Sequence, residues 1–182
     1  MTIARDLLKA VEFAAEKHRD QKRKNVEASP YINHPIQVAE MISTVGGIDD
    51  LAVLTAAILH DTVEDTETTF AEIDNAFGPE VRDLVAEVTD DTTLDKAERK
   101  RLQIEHTAHM SDRAKLIKLA DKTCNVRDVA QSPPKDWDMA RRVGYLEWAS
   151  RVVDGCRGTN AAMERYFDET LARARAALGI DP

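Results

Sequence analysis

Several things are scarce in this chain, and each scarcity excludes something. Only nine of its 182 residues are aromatic (Trp 2, Tyr 3, Phe 4). Ala, Leu and Val carry the apolar content instead, a balance that leans towards helix. There are two cysteines, Cys124 and Cys156, far apart and without CxxC spacing. That excludes a disulfide framework and fits buried, reduced thiols in a cytosolic protein. No apolar run approaches the ~18 residues of a membrane span, and the opening residues Met1 to Asp6 show no signal-peptide pattern. A cytoplasmic protein is expected. Basic residues are outnumbered, 25 Lys and Arg against 33 Asp and Glu, for a net charge of -8. Such a balance disfavours polymeric nucleic acid and anionic membrane, although local basic patches can still grip a small anion. No internal repeat and no low-complexity linker divides the chain. With 43% apolar and 32% charged residues, the length fits one folded domain, residues 1–182, with a sizeable core.

The stretch Ala56-Ala57-Ile58-Leu59-His60-Asp61-Thr62-Val63-Glu64-Asp65-Thr66 organises the rest. An apolar run from Leu51 to Leu59 delivers His60-Asp61 and then Glu64-Asp65. If the helix continues, His60 and Glu64 share a face, as do Asp61 and Glu64 or Asp65. Two like charges ~4 Å apart repel by about 4 kcal/mol at an effective dielectric near 20. Such a cluster implies a cation, a proton, or splaying into water at an ordinary acidic helix end.

Taken in order, residues 3–21 read as an amphipathic helix through Leu7, Leu8, Val11, Ala14, Ala15 and His18. The charged run that follows is by default a solvated face. The functional alternative is a phosphate grip by Arg23 and Lys24. Pro35 suits the first position of a second helix, capped by Asn33 or His34 and stopped at Gly46-Gly47. Asp49 is the expected cap of a third helix, apolar nearly all round and hence central. Residues 62–68 read as an acidic end and a loop. Thr69 and Glu72 form a capping box for a short helix ending at Phe77-Gly78, and Pro79 opens another. Lys96 to Thr107 is a charged helix, mostly solvent-facing, with Lys96 placed to reach an anionic ligand; His106 and His109 read as surface residues. Ser111 or Asp112 caps a buried helix in which Asp121 and Asn125 share a face. Asp121 is expensive to bury unless paired, and a salt bridge to Lys or Arg is the plain explanation. Trp137 to Gly155 is a long helix in which Arg141 and Tyr145 share a face, by default for packing. Thr159 caps a last helix running to Leu178. No segment alternates like a strand. The fold class is all-α, a bundle of eight to ten helices.

His34, His60, Asp61 and Asp121 are the residues left over, each at the edge of an apolar helix. Nitrogen and hard oxygen donors together suit a first-row divalent ion. Six-coordinate Mn²⁺ with two waters fits this mixture, and Zn²⁺ or Fe²⁺ remain open.

These residues follow the H…HD…D order of the HD phosphohydrolase superfamily. More narrowly, Tyr31-Ile32-Asn33-His34-Pro35, Leu59-His60-Asp61-Thr62-Val63-Glu64-Asp65-Thr66 and Lys118-Leu119-Ala120-Asp121-Lys122-Thr123-Cys124-Asn125 resemble the hydrolase domains of RelA/SpoT homologues. The likeness covers roughly residues 3–178. Arg99-Lys100-Arg101-Leu102 and Tyr145-Leu146-Glu147-Trp148-Ala149 resemble the stand-alone small alarmone hydrolases. The resemblance implies an HD-domain helical bundle that removes pyrophosphate from the 3′ position of ppGpp and pppGpp, leaving GDP or GTP. It implies His34, His60, Asp61 and Asp121 as Mn²⁺ ligands and Glu64 and Asp65 as the pair that orients and deprotonates water. It implies Arg23 and Lys24 at the substrate entrance, and Lys96, Asn125, Arg141 and Tyr145 lining the nucleotide and phosphate pocket. Because the chain ends soon after its last helix, it is expected to degrade alarmone without making it.

Two other readings compete. One is a metal-dependent phosphatase acting on another 2′- or 3′-phosphorylated nucleotide, NADPH foremost. The other is a non-catalytic nucleotide-binding HD domain, which loss of the Glu-Asp pair would favour; Glu64-Asp65 is intact. Self-association into a homo-oligomer is compatible with the sequence and not specified by it. Gly144, inside a helix, costs about 1 kcal/mol relative to Ala, either to admit substrate or because it is tolerated.

Overall fold

A computed structural model describes residues 3–180; Met1, Thr2, Asp181 and Pro182 lie outside the described residues. The apolar stretch at its centre is α3 (Leu51–Leu59), in which every residue from Val53 to Leu59 is buried. A helix that is apolar on all sides must be covered on all sides. The covering is done by α1 (Ile3–Lys17), α2 (Asn33–Thr44), α6 (Pro79–Val88) and α8 (Asp112–Gln131), all of which pack against it. A second layer forms where α9 (Met139–Asp154) and α10 (Ala161–Ala177) lie against α8, with α7 (Lys96–Thr107) on α9 and α5 (Phe70–Phe77) on α6. With α4 (Thr62–Asp65), a single turn, the described residues hold ten helices and only two isolated bridges, Lys22 to Pro30 and Asn25 to Pro134. The all-α expectation of eight to ten helices is met.

Local rules account for most helix ends. Thr69 and Glu72 form the expected capping box, Ser111 caps α8, and α7 has the expected bounds. Gly78 takes φ 89°, closing α5 and admitting Pro79 as the first residue of α6. At Gly155 an added Cβ would stand 2.9 Å from the Ala108 nitrogen and 3.0 Å from Thr107 Cβ, so only glycine lets the end of α9 close on the end of α7. A Cβ at Gly144 would meet nothing within 4 Å, so no packing within the protein requires that glycine.

Six expectations need correction. Helix α2 begins at Asn33 after Ile32, with no side-chain cap, so neither Asn33 nor His34 caps it and Pro35 is its third residue rather than its first. Helix α9 begins at Met139, capped by Asp138, rather than at Trp137. The first helix stops at Lys17 rather than near residue 21, because His18 to Asp20 turn the chain into the loop before α2. Residues 62–65 are helical rather than loop. Asn160, not Thr159, caps α10, its side chain accepting from the Ala162 and Met163 N–H groups. Asp50, not Asp49, caps α3: its Oδ1 accepts from the Ala52 and Val53 N–H groups and from Arg113 of α8 at 2.7 Å. Asp49 is exposed. Asp50→Ala is therefore expected to cost about 1–2 kcal/mol of stability in urea unfolding, and Asp49→Ala less than about 0.5 kcal/mol.

Candidate functional site

The start of α2, the end of α3 and the middle of α8 meet at one buried point. They bring His34 (2% exposed), His60 (5%) and Asp121 (8%) together, one donor atom of each within 4.8 Å of the others. Asp61 flanks this triad. Around the ring, His34 Nε2 stands 3.1 Å from Asp121 Oδ1 and 3.7 Å from Asp61 Oδ2; His60 Nε2 stands 3.1 Å from Asp61 Oδ2 and 3.9 Å from Asp121 Oδ1. Donor atoms bound to one ion at about 2.1–2.2 Å lie about 3.0–3.6 Å apart. The donor atoms of His34, His60 and Asp121 therefore have nearly the spacing that a divalent ion requires, with Asp61 beside the two imidazoles.

The hydrogen bonds support the same fit. His60 Nδ1 lies 2.8 Å from the Ala57 carbonyl oxygen, which only accepts, so Nδ1 carries a proton. In the neutral ring Nε2 then presents a lone pair, and it is a buried atom without a hydrogen-bond partner. A lone pair facing two carboxylates is repulsive unless a cation or proton intervenes. In the metal-free chain burial pushes His60 down, but Asp61 and then Asp121 overcome it and hold the imidazole at about 9. Burial would likewise raise the Asp61 carboxyl, yet His60 and His34 hold it well below the usual range. At Asp121 burial is outweighed by Lys122 and His34, again well below the usual range.

Each carboxylate has a second partner. The Tyr31 hydroxyl donates to Asp61 Oδ2 at 2.6 Å. Lys122 Nζ lies 2.9 Å from Asp121 Oδ2, and Asn125 Nδ2 donates to Asp121 Oδ1 at 2.5 Å. Asp121 thus has the lysine that a structural reading anticipated and the place in the ring as well. Asp121 and Asn125 share a face as their spacing requires.

Helix α3 ends at Leu59 and α4 starts at Thr62, yet His60 and Asp61 keep right-handed helical angles, so the acidic pair follows within one turn. The pair then divides. Asp65 faces a cavity of about 240 Å³ whose wall includes Arg23, Lys24, Asn125 and Tyr145. Glu64 faces a second, of about 210 Å³, walled by Lys96, Arg99, Lys100, Arg141 and Tyr145 among others. Trp137 and Tyr145 belong to both. All six residues expected around a substrate line one or both cavities. Arg23 is no free grip: its Nη2 donates to Asp128 Oδ2 at 2.7 Å and to Asn125 Oδ1 at 3.1 Å. Lys24, Lys96 and Arg141 are exposed, and the Arg141 guanidinium lies 4.6 Å from the Trp137 ring centroid. Burial, then Arg141, Lys24 and Arg99, lowers Lys96. Burial raises Tyr145 to about 12. His106 and His109 are exposed, as expected.

Sequence reasoning assigned no role to Gln21, Tyr31, Arg99, Lys122, Trp137 or Trp148. Tyr31, Arg99, Lys122 and Trp148 stand inside the quoted motifs, a signal present in the sequence itself. Arg99 opens a quoted motif, but its contact, Nη1 donating to Glu64 Oε1 at 3.3 Å, spans 35 residues; Gln21 acts across 44 residues and carries no local signal.

An all-α protein whose buried centre can hold a divalent ion narrows the class sharply. The model of the HD domain matches residues 10–149, and the chain belongs to the HD domain family, whose members use a divalent metal. It is 57% identical to the Xenopus tropicalis guanosine-3′,5′-bis(diphosphate) 3′-pyrophosphohydrolase MESH1 over 162 residues, 89% of this chain and 90% of that one. The Homo sapiens protein of the same name is 55% identical over 161 residues, 88% of this chain and 90% of its own. A solved structure described as a metazoan ortholog of SpoT that hydrolyzes ppGpp superposes with a TM-score of 0.91 at 49% identity, covering 94% of this chain and 96% of that one. No described helix is long and apolar enough to cross a membrane.

Glu64 has an unusual setting. Burial, then the carboxylates of Asp90 and Asp61, push it up to about 7, with the Asp90 N–H opposing. A carboxyl whose folded pKa is raised above its unfolded value of 4.5 contributes stability that is complete below that value and lost as pH rises through 7. In chelator-treated protein, Glu64→Gln is expected to leave stability unchanged near pH 4. At pH 8 it should raise stability by about 2 kcal/mol in urea unfolding, since the side chain is 24% exposed and partly screened.

Proposed function

We propose that this chain, as one hydrolase domain, removes pyrophosphate from the 3′ position of guanosine-3′,5′-bis(diphosphate), leaving GDP, or GTP from the pentaphosphate. The observation that carries this reading is the ring of His34, His60, Asp61 and Asp121, hydrogen-bonded by Tyr31 and Asn125 from the wall of one cation-lined cavity that also holds Asp65, with Glu64 on the wall of a second. The names of relatives more than half identical over nearly the whole chain supply the substrate. The four ring residues would hold the metal, with Mn²⁺ suited to their mixed nitrogen and oxygen donors. When bound, such an ion acidifies a coordinated water and offsets charge on the phosphorus oxygens.

The remaining work falls to side chains. Glu64, held near 7 and braced by Arg99 and the Asp90 N–H, accepts the water's proton. Asp65, on the wall of the adjoining cavity, orients that water. Lys24, Asn125 and Tyr145 in one cavity, and Lys96 and Arg141 in the other, bind the nucleotide and its phosphates, with Arg23 fixing Asn125. Cationic side chains stabilise the charge that gathers on the leaving pyrophosphate.

The test is product analysis with Mn²⁺ and ppGpp, beside a parallel tube holding NADPH. GDP and pyrophosphate are expected from the first. Orthophosphate and NADH from the second, with ppGpp untouched, would replace this reading. Glu64→Ala and Asp65→Ala are each expected to keep fold and metal while losing about 10²–10⁴-fold in turnover. His60→Ala should lose bound metal, read by elemental analysis.

A further inference from the structure

The turn that ends α1 holds a short chain of hydrogen bonds that terminates on Asp65. His18 is 2% exposed, and its Nδ1 lies 2.6 Å from Gln21 Oε1. From the other end of the same carboxamide, Gln21 Nε2 donates to Asp65 Oδ2 at 2.9 Å. The backbone holds these residues in place: the Gln21 N–H donates to the His18 carbonyl at 2.9 Å, and the Tyr31 N–H to the Gln21 carbonyl at 3.1 Å.

The chemistry allows one arrangement. An ionised carboxylate only accepts, so Asp65 selects the NH₂ end of the Gln21 amide. The Gln21 carbonyl then faces His18, and because a carbonyl also only accepts, His18 Nδ1 must carry the proton. The imidazole is locked as well, its centroid 4.9 Å from the Tyr31 ring, whose hydroxyl reaches Asp61. His18 Nε2 is a buried nitrogen with no hydrogen-bond partner. Such an atom is destabilising, and an apolar residue would fill the space without it. The imidazole's contribution is therefore its Nδ1–H.

We infer that Gln21 is a positioning residue for Asp65, set in its orientation by His18: it occupies Oδ2 and leaves Oδ1 to hold the attacking water. This rests on the reading of Asp65 as the carboxylate that orients that water. Neither residue is proposed to touch substrate or metal. Both act through the carboxylate, as outer partners do when they aim a functional group.

A double-mutant cycle with Mn²⁺-loaded protein and ppGpp separates the possibilities. Gln21→Leu is expected to lower kcat by roughly 10- to 100-fold with KM and bound Mn²⁺ unchanged. In an Asp65→Ala background there is no carboxylate left to position, so the same change should alter kcat by no more than about twofold. His18→Leu should behave like Gln21→Leu. His18→Asn, whose amide N–H can stand where the imidazole Nδ1–H stood, should stay close to the unsubstituted rate. If His18→Leu fails to fold, Gln21→Leu and His18→Asn still decide. Unsubstituted kcat in Gln21→Leu, an equal loss in both backgrounds, or a loss expressed in KM or bound metal would overturn the inference. Full turnover in Asp65→Ala alone would instead remove the reading of Asp65 on which it rests.

Discussion

Two carboxylates and two imidazoles share a largely buried space, and the surrounding helices are arranged to make that tolerable. An ion moved into a protein interior loses several kcal/mol of solvation even after relaxation. Here the loss is met from several elements at once. Lys122, beside Asp121 on α8, takes one of that residue's oxygens, and Asn125, one turn on, donates to the other. Tyr31, before α2, donates to Asp61. The partners come from elements that already wrap α3, so apolar packing and charge compensation are satisfied by one placement of α2 and α8. The run from Val53 to Leu59 supplies the apolar burial against which these polar groups can be held.

The cationic walls obey a related constraint. Lys100 is lowered by burial, then by Lys96, Lys122 and Arg141, and Lys96 by burial, then by Arg141, Lys24 and Arg99. Aromatic faces make the crowding bearable. The Trp148 ring has Lys100 at 4.6 Å and Lys122 at 4.7 Å, its Nε1–H donates to the Lys100 carbonyl, and Arg141 covers Trp137. A ring quadrupole attracts a cation without cancelling its charge. The positive potential is therefore kept for an anion, in a chain whose net charge is -8. Local placement, and not total charge, governs what such a cavity attracts.

Legibility in the sequence followed the range of each interaction. Effects within one turn were readable: the Thr69–Glu72 capping box, the bounds of α7, the shared face of Asp121 and Asn125, the all-round burial of α3. Caps failed where two suitable residues stand side by side: at Asp49-Asp50 and Thr159-Asn160 the second residue caps, and at Asn33-His34 neither does, both lying inside α2. The ring residues were legible as residue types, and the motif resemblance gave them a common purpose. The pairings that set their surroundings span the chain. Arg23 reads as a loop cation until Asp128, 105 residues later, is seen to tether it, and nothing near Asp65 points back 44 residues to Gln21.

That difference in range also distinguishes the two members of the acidic pair. Glu64 and Asp65 are neighbours of similar chemistry, and sequence alone treats them as one unit. Folding places them on the walls of different cavities. Glu64 is drawn among other carboxylates, and although Arg99 and the Asp90 N–H oppose the cost of its charge, burial and those carboxylates hold its proton near neutral pH. Asp65 is exposed and meets a neutral amide instead. A carboxyl that titrates near working pH is suited to exchanging a proton, whereas one fixed by an amide donor is suited to holding an acceptor in place. In the proposed reaction the adjacent acids accordingly divide the labour, Glu64 handling the proton and Asp65 the aim, and the division originates in the long-range contacts of Arg99 and Gln21.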